Sequence, residues 1–279
     1  MRVVEKPSII HEDILKACTS NIRNQDLKQR VEEELNYFND STEKYNNIGD
    51  LGKLSQIQSS DTVNDAISKE EMLFLYKKLS SKGEPARKYY DILLHASKIC
   101  PFCGYRISGT LDHYLPKARF PEFSVNPLNL IPCCRDCNSA KLTNMPSNEE
   151  ETLHPYYDNV EQGKWLFAEI DYKKEIGFSF FVQKPENWTD RKFQKLHNHF
   201  NALKLSELYS IIASQEFNDQ AHFLKKLYIE SGSEILKDTL LDFKKSSERH
   251  YVNNWKSAMY EALAESNWFC NEGIANFPV

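Results

Sequence analysis

The sequence predicts the α+β class, with a small zinc-stabilised unit of two strands and a helix embedded between mainly α-helical N- and C-terminal regions. Three observations predict it. Apolar residues recur at three- and four-residue spacing before position 98 and again after position 188. Two C-x-x-C pairs, Cys100/Cys103 and Cys134/Cys137, stand thirty residues apart. The stretch between them carries short apolar runs interrupted by Pro116, Pro121 and Pro127. The expected division is a helical region over 1–97, the zinc unit over 98–145, a connecting segment with a β-hairpin over 146–188 and a helical region over 189–279.

In the first region, Leu27, Val31, Leu35 and Phe38 form one apolar stripe and Met72, Leu75, Tyr76 and Leu79 another. Residues 39–62 are rich in Asn, Ser, Asp and Gly and predict an irregular connection. Pro85 suits the first turn of a helix through Tyr89, Ile92, Leu93 and Ala96. The central unit reads as a cysteine knuckle, a strand near Gly109 to Tyr114, a second at Leu130 to Pro132, and a helix from about Arg135 to Thr143. Trp165 to Ile170 and Ile176 to Val182 predict a hairpin turning at Asp171 to Glu175. Helical spacing returns at Phe193, Leu196, Phe200 and Leu203, at Leu208, Ile211 and Ile212, at Phe223, Leu224 and Leu227, and at Val252, Trp255, Met259 and Leu263. The Trp268-Phe269-Cys270 cluster predicts core closure.

Four thiolates in two close pairs are what a tetrahedral structural zinc needs. A redox C-x-x-C competes for Cys100 and Cys103 but leaves the second pair unexplained. Cys133 offers an alternative to Cys134 as the third ligand; the two-residue spacing of Cys134 to Cys137 makes the tighter knuckle. Cys18 and Cys270 read as small buried hydrophobes.

With 41% hydrophobic residues and 12% aromatics, 279 residues can bury a sizeable core. No run has the length of a membrane span, and charges at Arg2, Glu5, Lys6, Glu12, Asp13 and Lys16 interrupt any leader-like core. A reducing cytoplasm is the expectation. The net charge of −5 argues against indiscriminate duplex binding. The distribution is uneven: residues 100–141 hold five basic residues (Arg106, Lys117, Arg119, Arg135, Lys141) against three acids (Asp112, Glu122, Asp136), so that segment is +2 and the remainder −7.

Those residues match a hydrolytic chemistry. Breaking a phosphodiester needs an activated water and a cation that neutralises charge on the phosphate and the leaving 3′ oxygen. His113, with an imidazole that ordinarily titrates near ~6.5, fits the general base. Asp112 and Asn138 offer hard oxygen ligands for Mg²⁺ or Mn²⁺. Asn129, before the second strand, suits a positional role, bonding either loop backbone or the His113 ring. Lys141, three residues past Asn138, fits a phosphate contact, as do Arg135, Arg119, Lys117 and Arg106. His154 reads more readily as an ordinary loop histidine than as part of a cleft; His197 and His199 fall on different helix faces.

Asp112-His113, Asn129 and Asn138, within the frame C-x-x-C and C-x-x-C-N followed by Lys141, resemble the HNH (ββα-metal) nucleases of the four-cysteine zinc subtype. The closing C-x-x-C-N element is similar to that of phage junction resolvases. The resemblance covers about 45 residues, near Lys98 to Asn144. It implies a ββα-metal module in which His113 is the base, Asp112 and Asn138 bind the catalytic cation, Asn129 is structural, and Cys100, Cys103, Cys134 and Cys137 bind zinc. Leu115-Pro116-Lys117, Pro121-Glu122-Phe123-Ser124 and His154-Pro155-Tyr156 further resemble HNH proteins of bacterial anti-phage systems, among them the nuclease subunit of Septu and retron-associated systems, which works beside an ATPase. The expectation is a DNA endonuclease of anti-phage defence with a partner ATPase. The alternative is a zinc-stabilised nucleic-acid or protein binding module that does not cut, which needs the cysteines but has no use for Asp112, His113 and Asn138 together.

Overall fold

The computed structural model describes residues 1–140, 150–172, 176–249 and 251–277. The chain divides into two compact units, Met1–Val160 and Glu161–Val279.

In the first unit, helices α1 (His11–Thr19), α2 (Gln25–Glu33) and α3 (Leu35–Asp50) precede a minimal hairpin of β1 (Thr62–Val63) and β2 (Ile67–Ser68). Helices α4 (Lys69–Ser80) and α5 (Arg87–His95) follow. Asn24 starts α2 by accepting from the Leu27 backbone N–H. The expected stripe is split: Leu27 and Val31 lie on α2, Leu35 and Phe38 on α3, with Glu34 between them at φ −91°, ψ 6°. Ser68 and Glu71 form a capping box on α4, and Arg30 reaches across from α2 to bond Glu71 at 2.6 Å and the Ala66 carbonyl at 2.6 Å. Ile14, Leu15, Leu27, Phe38, Met72, Leu75 and Leu93 share one buried cluster, into which Leu111 and Leu130 of the central segment also pack.

Two expectations fail here. The polar stretch 39–62 is not irregular at its start, because α3 runs to Asp50. Phe38, Tyr45 and Gly49 face inward at spacings of seven and four while weak helix formers face water, so burial overrides propensity. Gly49 is required: a Cβ there would lie 2.6 Å from the Tyr157 ring. The α5 stripe is also narrower than expected, since Ile92 is 56% exposed while Tyr90 and Leu93 are buried.

The central segment contains β3 (Thr110–His113) and β4 (Leu130–Cys133), paired antiparallel in the register Thr110↔Cys133, Leu111↔Pro132, Asp112↔Ile131 and His113↔Leu130. Helix α6 (Arg135–Ala140) follows directly. Its expected continuation to Thr143 lies outside the described residues. Between the strands, the chain forms 3₁₀ turns at Pro121–Phe123 and Pro127–Asn129, each opened by a proline whose missing N–H costs nothing at a helix start.

In the second unit, β5 (Leu166–Asp171) and β6 (Gly177–Val182) form the expected hairpin, with Leu166 opposite Val182 and Asp171 opposite Gly177. Helices α7 (Asp190–Ala202), α8 (Leu205–Glu248) and α9 (Trp255–Glu265) follow, and then a π-helical turn (Phe269–Gly273) runs into a short helix, α10 (Ile274–Asn276). Two serines of α8 close an edge of β6: Ser206 Oγ donates to the Phe180 carbonyl at 2.7 Å and Ser210 Oγ to that of Phe178. Four residues of helix rise about 6 Å and two of strand about 6.6 Å, so an i, i+4 pair matches alternate strand carbonyls.

Helix α8 folds back on itself at Gly232, where φ is 81° and ψ is −179°. Phe223 and Phe243 would be about 30 Å apart along a straight helix, yet their ring centroids are 6.4 Å apart. Leu224, Leu236 and Leu240 are buried, whereas Ile211 is 69% exposed and Phe223 is also largely exposed, against the expected stripes. Val252 lies before α9 and is exposed; Met259 and Leu263 are buried on it. Phe269 and Cys270 are buried, and Trp268 stacks on Tyr172 at 4.6 Å. No helix among the described residues is long and apolar enough to cross a membrane.

Candidate functional site

Cys100, Cys103, Cys134 and Cys137 are all buried, and their Sγ atoms lie within 4.8 Å of one another. A zinc with four bonds of about 2.3 Å needs sulfurs roughly 3.8 Å apart, so this donor set fits the ion. Cys134, not Cys133, belongs to the cluster; Cys133 ends β4 opposite Thr110. Each pair is shaped as a tight turn whose backbone N–H points at a sulfur: Arg106 N to Cys103 Sγ at 3.4 Å, and Cys137 N to Cys134 Sγ at 3.4 Å. Gly104, at φ 67°, closes the first knuckle, and its N–H donates to the Cys100 carbonyl at 2.8 Å. Hydrogen bonds among the four thiols pull Cys103 and Cys134 below the ordinary thiol range and push Cys100 and Cys137 above it.

His113 ends β3 and is 8% exposed. Its Nε2 lies 2.8 Å from the Ser124 carbonyl oxygen. A carbonyl only accepts, so Nε2 carries the proton and the lone pair of the neutral ring sits on Nδ1. The Tyr76 ring meets the imidazole edge-on at 4.5 Å. The Lys117 ammonium stands 4.7 Å from the same Tyr76 ring. Burial lowers the Lys117 pKa, opposed by the charge of Asp112. Asp112, His113, Tyr76 and Lys117 therefore share one neighbourhood. Tyr76 was legible only as a core stripe residue.

Asp112 and Thr110 lie on one face of β3, because side chains alternate along a strand. Asn138 of α6 donates through Nδ2 to Thr110 Oγ1 at 3.4 Å. The helix thus sets Asn138 over the face that carries Asp112, and these two residues bring hard oxygen donors to it.

Asn129 is fully buried, and its amide is saturated. Oδ1 accepts from Leu115 N at 2.7 Å and Tyr45 Oη at 3.0 Å; Nδ2 donates to the Leu115 carbonyl at 3.0 Å and the Phe123 carbonyl at 3.1 Å. Of the two partners open to it in the sequence, it takes loop backbone. The basic candidates divide. Arg106 pairs with Asp136 at 2.9 Å, tying the first knuckle to α6. Arg119 and Arg135 are exposed, Lys117 is half-buried, and Lys141 lies outside the described residues.

His154 is not an ordinary loop histidine. It is 1% exposed and packed among Tyr45, Tyr114, Tyr156 and Tyr157. The loop bearing it is anchored to the hairpin: Tyr114 Oη donates to the Thr152 carbonyl at 2.7 Å and Tyr156 Oη to that of Leu130 at 2.8 Å. Nothing in local spacing signals these contacts, although the aromatic density of residues 154–157 is visible in the sequence.

No protein-family model matches the chain, and no solved structure matches it. Along 96% of its length it is 26% identical to Protein ea31 of Escherichia phage lambda, covering 99% of that protein. Over 90 residues it is 32% identical to the Septu protein PtuB of Bacillus thuringiensis, a stretch amounting to 30% of this chain and 34% of the Bacillus protein. The chain is thus similar to a phage protein from end to end, and to a Septu protein over about a third of that protein's length.

Proposed function

We propose that this protein is a divalent-metal-dependent HNH endonuclease that hydrolyses DNA phosphodiester bonds, with a zinc-clamped ββα-metal module at residues 98–145. The observation that carries the reading is the fixed tautomer of His113. Its Nε2–H is spent on the Ser124 carbonyl, which leaves Nδ1 to take a proton from water. Asp112 and Asn138 would hold Mg²⁺ or Mn²⁺, since carboxylate and amide oxygens are the donors these ions take. That cation, when bound, supplies charge neutralisation at the scissile phosphate and the leaving 3′ oxygen.

The protein's own groups supply the rest. His113 Nδ1 accepts the proton of the attacking water, and the ring keeps its orientation through the Ser124 bond. Lys117, held over Tyr76 beside Asp112, meets a phosphate oxygen as a point charge. Cys100 and Cys103, ahead of β3, and Cys134 and Cys137, at the start of α6, would hold a zinc that ties these segments together away from the substrate. The partial likeness to a Septu protein supports a role in anti-phage defence; a partner ATPase that delivers or licenses the DNA belongs to the same proposal.

The test is cleavage of supercoiled, linear, single-stranded and branched DNA, and of RNA, with Mg²⁺ or Mn²⁺, beside His113→Ala. Cleavage that needs both metal and His113 supports the enzyme. A folded, zinc-loaded protein that binds DNA and cuts none of the panel, with or without an ATPase partner, gives the site to the binding-module reading.

A further inference from the structure

We propose that Tyr45 and His154 are positioning residues for His113, acting through Asn129. The proposal deepens the nuclease reading, which makes His113 the base. The direction of each hydrogen bond follows from its neighbours. The Tyr156 backbone N–H lies 3.2 Å from His154 Nδ1 and can only donate, so Nδ1 is the acceptor and Nε2 carries the proton of the neutral ring. His154 Nε2 is 3.3 Å from Tyr45 Oη. That contact occupies a lone pair of the phenol and turns its own proton to Asn129 Oδ1 at 3.0 Å. Tyr45 thereby fixes which end of the Asn129 amide is the oxygen. A reversed amide would aim Nδ2 at two donors, Tyr45 Oη and the Leu115 N–H.

Asn129 in turn grips both arms of the loop that holds the base. It bonds both backbone groups of Leu115, two residues beyond His113, and the carbonyl of Phe123, one residue before Ser124. The two rings of the relay also touch the chain neighbours of the His113–Ser124 pair. Tyr45 packs edge-on against Phe123 at 4.9 Å, and His154 lies 4.2 Å from Tyr114. Tyr45 and His154 therefore hold the flanking residues on each side of the bond that orients the imidazole, without reaching the imidazole itself. All three relay residues are buried, in a region where unmet hydrogen-bonding groups are costly.

The experiment uses the full chain with Tyr45→Phe, His154→Gln and the double variant. Zinc content, the cleavage constants on DNA with Mg²⁺, and hydrogen exchange of the Leu115 amide are measured. Loss of one buried bond predicts a fall in kcat of about ten-fold at unchanged KM, with the double variant no worse than the weaker single one. Leu115 exchange should accelerate about ten-fold, with zinc retained. Wild-type kcat in Tyr45→Phe, or a loss confined to KM, overturns the proposal. If the wild-type protein cuts no DNA, with or without an ATPase partner, the nuclease reading fails, and Leu115 exchange decides the positioning claim: unchanged protection in Tyr45→Phe overturns it. If His154→Gln does not fold, Tyr45→Phe, which keeps the ring, carries the test.

Discussion

The side chain of His113 and the backbone of Ser124 form one hydrogen-bonded pair, with Nε2 and the carbonyl oxygen 2.8 Å apart. The partner is the carbonyl and not the hydroxyl. Ser124 Oγ is buried with no hydrogen-bond partner among the described residues. This separates two substitutions that are eleven residues apart. His113→Ala should abolish cleavage, a loss of at least about 100-fold, while the protein still folds and keeps its zinc. Ser124→Ala should leave cleavage intact and raise stability by about 1 kcal/mol, by removing an unsatisfied buried hydroxyl. Undiminished cleavage by His113→Ala removes His113 from the chemistry.

Cys133 and Cys134 are adjacent and both buried, yet only Cys134 joins the four-sulfur cluster. Cys134→Ser should lose zinc and destabilise the central segment by several kcal/mol, since metal binding there is folding free energy. Cys133→Ser should stay fully metallated. Metal analysis with thermal melting decides it. Loss of zinc in Cys133→Ser and retention in Cys134→Ser would reverse the ligand choice.

Asn129 makes four hydrogen bonds from a fully buried amide. Asn129→Asp has nearly the same shape but cannot donate to the Leu115 and Phe123 carbonyls, and it places a carboxylate where the amide nitrogen stood. The expected cost is about 3 kcal/mol or more in denaturant unfolding, accompanied by loss of cleavage. A variant as stable as the wild type would show that the loop is held by other contacts.

The strands flanking the candidate site were readable because their signals are local. The cysteine pairs, the prolines at 116, 121 and 127 and the Asp112-His113 dipeptide all fall within one short stretch. The length of α3 was not readable. Asn39, Asp40, Ser41, Asn46 and Asn47 are weak helix formers, and only tertiary burial of Phe38, Tyr45 and Gly49 explains the helix. The role of His154 was hidden for a different reason. Its partner Tyr45 lies 109 residues away, and neither residue carries a local pattern that points to the other. The fold-back at Gly232 was likewise masked, because a single glycine inside helical spacing looks like a tolerated weak point until its φ of 81° is known.

His11 is buried under α3, its Nδ1 2.9 Å from Thr42 Oγ1. The Thr42 hydroxyl proton goes to the Phe38 carbonyl at 2.8 Å and its oxygen accepts from Asn126 Nδ2 at 3.0 Å, so His11 Nδ1 must be the donor. Nε2 then bears the lone pair, and it has no hydrogen-bond partner among the described residues. Protonating it would bury an unpaired charge, and burial accordingly lowers the pKa from 6.5 to about 3. Between those values the unfolded chain binds one proton that the folded chain refuses. The stability that neutral His11 permits is therefore complete above pH 6.5 and is lost progressively as pH falls toward 3. The expected slope from this group is about 1.4 kcal/mol per pH unit. Unfolding of wild type and His11→Gln at pH 7, 6 and 5 isolates it, because the other histidines are common to both. The variant should lose less stability than the wild type between pH 6 and 5, by about one proton's worth; parallel pH profiles would show that His11 is protonated in the folded protein.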